Sequence, residues 1–338
     1  MRIKKLAENQ GMALLITIMV ISLLIAVTVQ FNRSVRQNYF ASAAQLDGQR
    51  LRMISKSGFT IAAALLEADG KANTYDTLQD QWAVIDVESF PGLFGRGVLN
   101  LEITDLSGKL QINSLVQESE GEQEGEEEQN TNENREILNR LLLSGTFGIE
   151  DEQEAREIVD ALVDWLDSDD RESDFGAESS YYRSLENSYE CQNGPVTVIE
   201  DLLLVKGITP ELLFGDEDRP GLVDYITVYG SDGTININTA SEELLQAMHS
   251  FMTAELSELL AEFRNEEGNY ENLETVEWYR DVTGFPNDIE LSGKVISTTS
   301  SYFKIDAEGV FNDQRRIMTA IVERNKENTV SFLYRKVE

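Results

Sequence analysis

The sequence predicts an α+β fold: one long N-terminal helix, an antiparallel sheet, and a large all-helical domain inserted between that sheet's strands. Three observations predict it. An apolar run near the start passes without a proline into a segment rich in Ala, Leu, Gln and Arg. Alternating apolar and polar residues occur at 97–115 and again from 301 onward. Between them the apolar residues recur at helical spacing, so strands flank helices in one discontinuous domain.

The helix comes first. From Met12 to Phe31 no residue is charged, and such a run in helical form reaches about 30 Å, the thickness of a bilayer core. Arg2, Lys4 and Lys5 precede it and only Glu8 opposes them, so the N-terminus is expected in the cytoplasm and the remainder across the membrane. A cleaved secretory signal has a shorter apolar region, about 7–15 residues, that ends in a small-residue site. Here the small residue, Gly11, stands before the run. The helical pattern continues through "NRSVRQNYFASAAQLDGQRLRMISKSGFTIAAALLEA", which predicts one long helix leaving the membrane.

Strands and helices follow. "GVLNLEITDLSGKLQINSL" (97–115) alternates around Gly108 and predicts a hairpin. The stretch 117–134, "QESEGEQEGEEEQNTNEN", has almost nothing to bury and is expected to be a disordered loop. From Glu136 to about Asp281, segments such as "EAREIVDALVDWL" and "SEELLQAMHSFMTAELSELLAEF" are helical in spacing. Strand patterns return at 301–325, with a last one at "VSFLYRKVE".

With 61 acidic and 28 basic residues among 338, the formal charge is -33. That charge repels nucleic-acid phosphates and anionic lipids, and it supplies hard oxygen ligands for a cation. Cys191 and His249 are each the only residue of their type, which excludes an intramolecular disulfide and zinc sites rich in cysteine or histidine. No nucleophile elbow, phosphate loop or dinucleotide fingerprint is present. His249 in "AMHSFM" reads as a packed or capping residue. A non-enzymatic protein is expected.

The densest chemistry is "DWLDSDDRESDFGAESSYY", which crowds Asp164, Asp167, Asp169, Asp170, Asp174 and Glu178 into a short segment. Such carboxylates repel one another unless solvated or bridged by a cation. Asp167, Asp169 and Glu178 match positions one, three and twelve of an EF-hand loop. Arg171 and Glu172 stand where a ligand and the turn glycine belong, so the loop is not an EF-hand. Its oxygens favour Ca²⁺, with Asp167, Asp169, Asp170, Asp174 and Glu178 as the expected ligands. A merely solvated acidic loop is the alternative.

Two further patterns bear on function. "DLSGKLQIN" and "GSDGTININ" align Gly108 with Gly233, Ile112 with Ile237 and Asn113 with Asn238, and read as a repeated turn, strand and helix cap. "LLLVKGIT" and "ININTASEELLQAM" are similar to helix-hairpin-helix units, which elsewhere grip DNA phosphates. The segment 236–276 has one basic residue, Arg264, among many acidic ones, so packing is the expected role.

A basic leader, a glycine and an apolar helix entering a soluble domain resemble the N-terminus of type IV pilins and pseudopilins. In that family a prepilin peptidase cuts after the glycine, which implies Gly11 as the last leader residue and Met12 as the mature N-terminus. Most members carry glutamate five residues after the cut, where this chain has Ile16 in "MALLI". Lack of that glutamate, with "DTLQDQWA", "ALVDWLDSDD", "GAESSYY", "LLLVKGIT" and "GTININTAS" in order along the chain, resembles the large minor pseudopilins of type II secretion. The resemblance implies a pilin-like helix and sheet with an inserted helix-hairpin-helix or SAM-like domain. It implies segments at 1–11 (leader), 12–31 (membrane part), 32–115 (helix and first strands), 116–135 (loop), 136–290 (inserted domain) and 291–338 (closing strands). It also implies single-pass insertion in the inner membrane, a periplasmic domain, calcium in the acidic loop, and a place at the tip of the secretion pseudopilus, helping to start its assembly. The implied partners are I- and J-type minor pseudopilins, the prepilin peptidase and the inner-membrane secretion platform, and no nucleic acid. A membrane-anchored helix-hairpin-helix nucleic-acid binder is the competing reading.

Overall fold

The computed structural model of the chain describes residues 4–85, 92–116, 124–312 and 314–337. Helix α1, Lys4–Ala72, is continuous and at 1.5 Å per residue extends about 100 Å. Its apolar stretch is long enough to cross a membrane, and among the described residues none covers it. Thr17 and Thr28 donate their hydroxyl protons back to carbonyls one turn earlier, Ala13 and Leu24 among them, so these two hydroxyls are satisfied within the helix. From Leu51 onward α1 changes character, and Leu51, Ile54, Phe59, Ala62 and Leu66 are buried.

Strand β1 is Val98–Asp105 and β2 is Leu110–Gln111. The helical block then supplies α2 (Glu124–Leu142), α3 (Glu152–Leu166), α4 (Ser179–Ser184) and α5 (Pro210–Phe214). After the short strands β3 (Ile226–Thr227) and β4 (Ile235–Asn236) come α6 (Glu242–Ala247) and α7 (Ala254–Asn265). Strands β5 (Ile296–Ser297), β6 (Tyr302–Phe311), β7 (Gln314–Arg324) and β8 (Val330–Val337) close the chain.

The main sheet has the order β1-β6-β7-β8 and is antiparallel throughout, with Leu101 opposite Ala307 and Ile305 opposite Ala320. Alternate residues of β6, including Phe303, Ile305 and Ala307, point into a core shared with α1 and Trp82. Two glycines let the layers approach: a Cβ on Gly58 would lie 2.7 Å from Cβ of Ala307, and one on Gly309 would lie 2.8 Å from Oγ of Ser55. Oγ of Ser55 also accepts the Gly309 N–H at 3.1 Å and reaches the Arg316 carbonyl at 3.0 Å.

The expected hairpin at Gly108 does not form. Strand β1 pairs with β6, far along the chain, and β2 pairs in parallel with β3. The Asp105 carboxylate accepts the Ser107 N–H at 2.7 Å and turns the chain away. Leu110, Ile112 and Leu115 then enter a second, larger core built on the helical block, with Leu138, Leu162, Trp165, Tyr182 and Trp278. That core also takes in Val295 and Ile296, so it draws on short strands at both ends of the block.

The acidic stretch expected as a loop lies partly outside the described residues, at 117–123. From Glu124 it is α2, not loop. Glutamate is a good helix former, acidic residues suit the positive end of a helix, and the buried Ile137, Leu138, Leu141 and Leu142 anchor its later turns. The twin asparagines differ from expectation as well. Asn113 bonds the Val196 and Val228 carbonyls and the Val196 N–H, while Asn238 bonds the Asp76 and Leu273 carbonyls and the indole N–H of Trp278. Each brackets distant loops, and the cap of α6 is Ser241, whose Oγ accepts the Leu244 N–H.

Candidate metal centre

Helix α3 builds the centre. Asp151 caps it by accepting the Gln153 N–H at 2.9 Å, and Ala155, Ile158, Leu162 and Trp165 seat it in the larger core. Asp160, Asp164 and Asp167 stand at i, i+4 and i+7, which places them along one face. Asp164 is fully buried, and the Ser173 N–H lies 3.2 and 3.1 Å from its two oxygens. Asp160 accepts the Phe175 N–H at 3.2 Å, and Asp167 ends the helix with its own N–H on the Val163 carbonyl. The chain folds back so tightly that a Cβ on Gly176 would sit 1.9 Å from Oδ2 of Asp164.

Glu178 follows, just before α4, only 2% exposed, and neither carboxylate oxygen has a hydrogen-bond partner. One oxygen each from Asp164, Asp167 and Glu178 lie within 4.8 Å of one another. Among the described residues no lysine or arginine forms an ion pair with these three. Burial, reinforced by the charges of Asp164, Asp167 and Asp170, pushes the Glu178 carboxyl up to about 7. Burial also raises Asp160 and Asp167. An orphaned buried carboxyl among carboxylates is costly unless it is protonated or bound to a cation. Three oxygen donors fit a hard divalent ion such as Ca²⁺.

Of the expected ligands, the structure brings Asp167 and Glu178 together. Asp169, Asp170 and Asp174 stay on the surface, Asp169 accepting the Arg171 N–H at 2.7 Å and pairing with its guanidinium at 3.5 Å. Asp164 takes the central place instead. Its signal in the sequence is the one-face spacing with Asp160 and Asp167, not its position within the loop.

A second carboxylate group, Asp69, Asp76 and Asp80, is equally close-set but already partnered. Arg324 pairs with Asp69 at 3.2 Å and Asp76 at 2.5 Å, and Asp80 accepts from the Tyr270 hydroxyl and the Thr77 N–H. His249 Nδ1 accepts the Phe251 N–H at 3.2 Å, a turn-capping role. Burial pushes the Cys191 thiol up to about 11, which leaves it inert. Gly11, Met12 and Ile16 lie on exposed turns of α1, and the space around Gly11 is open.

Gly176→Ala should disrupt the centre, because its methyl group meets a buried carboxylate held by backbone donors. The expected loss is about 1–3 kcal/mol of stability, read as a lower urea midpoint at unchanged slope. A midpoint equal to wild type would show that the loop has room that the structure denies it.

The model of a domain described as type II secretion system (T2SS), protein K, matches residues 108–214, which contain the whole acidic loop. Type II secretion system protein K of Pseudomonas aeruginosa is 24% identical over 97% of this chain and 92% of its own length. That of Pectobacterium carotovorum is 25% identical over 88% of this chain and 87% of its own. A chain in the crystal structure of the GspK-GspI-GspJ complex from enterotoxigenic Escherichia coli shares the fold, with a TM-score of 0.64 at 17% identity over 88% of this chain and 99% of that one. Residues 108–214 thus carry a domain of the type II secretion system protein K family, and over nearly its full length the chain is similar to proteins of that name and shares the fold of the GspK-GspI-GspJ structure.

Proposed function

We propose that the chain caps the tip of a periplasmic pseudopilus, helps to start its assembly with I- and J-type minor pseudopilins, and binds Ca²⁺ at Asp164, Asp167 and Glu178. The observation that carries the reading is α1. Its stretch Met12–Phe31 is exposed and apolar, Leu51, Ile54, Phe59, Ala62 and Leu66 are buried in the core shared with the sheet, and no break separates them. A helix of this kind can lie in a bilayer and later exchange lipid for neighbouring helices, since both environments are apolar. Ile16 leaves no carboxylate for a preceding subunit's amine, which suits a subunit with nothing above it. The helical domain between β1 and β6 adds bulk where another subunit would stack. Its role is assembly, not catalysis. The structural relative was crystallised as a GspK-GspI-GspJ complex, which supports I- and J-type partners. On this reading a prepilin peptidase removes residues 1–11, the inner-membrane platform drives assembly, and the domain faces the periplasm.

The helix-hairpin-helix segment weighs against the nucleic-acid alternative. Its lysine, Lys206, turns inward and donates to the Phe175 and Gly176 carbonyls.

The intact mass of the chain purified from membranes tests the reading. Loss of residues 1–11, retention of the leader in Gly11→Val, and co-purification with the I- and J-type proteins are expected. A stable uncut wild-type chain, or a Gly11→Val chain that is still shortened, would overturn the processing assignment. A tagged chain that retains neither partner would overturn the tip assignment.

A further inference from the structure

The Ca²⁺ reading leaves open what holds Glu178 in its pocket, because that carboxylate receives no hydrogen bond. Its position must come from the backbone on either side. On the C-terminal side α4 begins at Ser179, and the Tyr181 N–H bonds the Glu178 carbonyl at 2.9 Å. On the N-terminal side, Ser173 and Phe175 hang from Asp164 and Asp160 by their N–H groups. The carbonyls of Phe175 and Gly176 are both bonded by Nζ of Lys206, each at 3.0 Å.

Lys206 is itself firmly placed. Its N–H donates to the Tyr182 hydroxyl at 3.2 Å, and its ammonium lies 5.4 Å from the Tyr181 ring centroid. Gly207 follows with φ of +86°, in the left-handed region that glycine enters without strain. A Cβ at Gly207 would stand 2.9 Å from Cγ1 of Ile158, so this turn rests directly on α3. The helix that carries Asp160, Asp164 and Asp167 thus also supports the turn next to the lysine.

We propose that Lys206 is the positioning residue of this centre: by clamping the Phe175 and Gly176 carbonyls it holds Glu178 in place before the ion arrives. The proposal rests on the Ca²⁺ reading. An ammonium at two consecutive carbonyls fixes the strap between Ser173 and Glu178 closer to Glu178 than the N–H bonds of Ser173 and Phe175 to Asp164 and Asp160 do. Without it the strap must be ordered at the moment of binding, and that entropy is subtracted from affinity. Outer-shell partners of metal ligands are typically worth about 10- to 100-fold in affinity.

The test uses the full-length chain in detergent micelles, stripped with EGTA and titrated with CaCl₂ by calorimetry, as wild type, Lys206→Met and Lys206→Arg. Lys206→Met should bind about 10- to 100-fold more weakly, and Lys206→Arg should recover most of the loss. In EGTA, trypsin should cut after the exposed Arg171 faster in Lys206→Met than in wild type, and saturating CaCl₂ should remove the difference. A purely structural role would slow or speed cutting equally with and without the ion. Wild-type binding with Lys206→Met within twofold of it overturns the proposal and leaves the Ca²⁺ reading standing. Wild type that binds no Ca²⁺ overturns both. Should Lys206→Met fail to fold, Lys206→Gln carries the same titration, and unchanged affinity there is equally decisive against the clamp.

Discussion

Arg324→Met is expected to destabilise the chain by about 3–5 kcal/mol, the usual consequence of removing one partner from a buried ionic group. Arg324 ends β7 and is 7% exposed. It pairs with Asp69 at the end of α1 and with Asp76 beyond it, donates to the Leu66 and Ser300 carbonyls, and lies 5.1 Å from the Phe303 ring centroid. Asp76 in turn accepts the Ser300 N–H, and its carbonyl accepts from Asn236 and Asn238 of the helical block. One guanidinium therefore ties the long helix, the sheet and the inserted helices at a single point. Methionine keeps the stem but leaves two buried carboxylates facing each other.

The pH dependence of that variant has a definite sign. Burial already pushes Asp69 and Asp76 above the ordinary aspartate value of 3.8, with Arg324 pulling both back. Removing the arginine raises them further. Carboxyls raised in the folded state contribute stability below the unfolded value and lose it as pH rises through the folded one. The deficit of Arg324→Met should thus be largest near neutral pH and shrink toward pH 4. Urea unfolding at several pH values, followed by circular dichroism, measures it. A deficit under about 1 kcal/mol, the level of an exposed ion pair, would mean that the guanidinium is not a junction.

This junction is not legible in the sequence, and the reason is physical. Arg324 sits in a strand whose pattern reads only as alternation, and its partners lie 255 and 248 residues away. Local periodicity carries no information on such pairings. The elements set by local pattern are readable: α1 from its uninterrupted apolar run, α3 from its stripe, and the late strands from their alternation. Gly108 misleads because a turn residue between alternating segments signals a hairpin only if both segments stay in one sheet. Here Leu110 has a larger core available. The acidic stretch misleads differently, since low burial suggests disorder although glutamate favours helix once later turns are anchored. At the metal centre the composition is legible and the selection is not. Six acids crowd the segment, yet helical phase turns Asp164 inward, while Asp169, Asp170 and Asp174 lie beyond the end of α3 on the surface. Glu178 stands out in the sequence, but its lack of donors emerges only when Gly176 and Lys206 fold the strap over α3.

Chelation is the second large effect expected. With free Ca²⁺ at about one hundred times its dissociation constant, binding to the folded chain alone adds about 2.7 kcal/mol, so excess EGTA should lower the melting temperature clearly. Protons sharpen the test, because Ca²⁺ and the Glu178 proton compete for one carboxyl. In the ion-free chain Glu178 is raised from 4.5 to about 7 by burial and by Asp164, Asp167 and Asp170. Because folding raises this carboxyl, its contribution to stability is present below pH 4.5 and lost as pH climbs through about 7. Stability in EGTA should therefore fall across that window, while Ca²⁺ affinity should rise, by about tenfold per pH unit for one displaced proton. The two trends have opposite slopes and a shared cause. Glu178→Gln separates them, since glutamine cannot ionise: in EGTA this part of the pH dependence should flatten, and the response to Ca²⁺ should be lost. Identical wild-type melting curves with EGTA and with Ca²⁺ at pH 8, where Glu178 is ionised and the ion most favoured, would sink the metal assignment. A solvated acidic loop would instead show a midpoint that shifts with any salt and is indifferent to the valence of the cation at equal ionic strength.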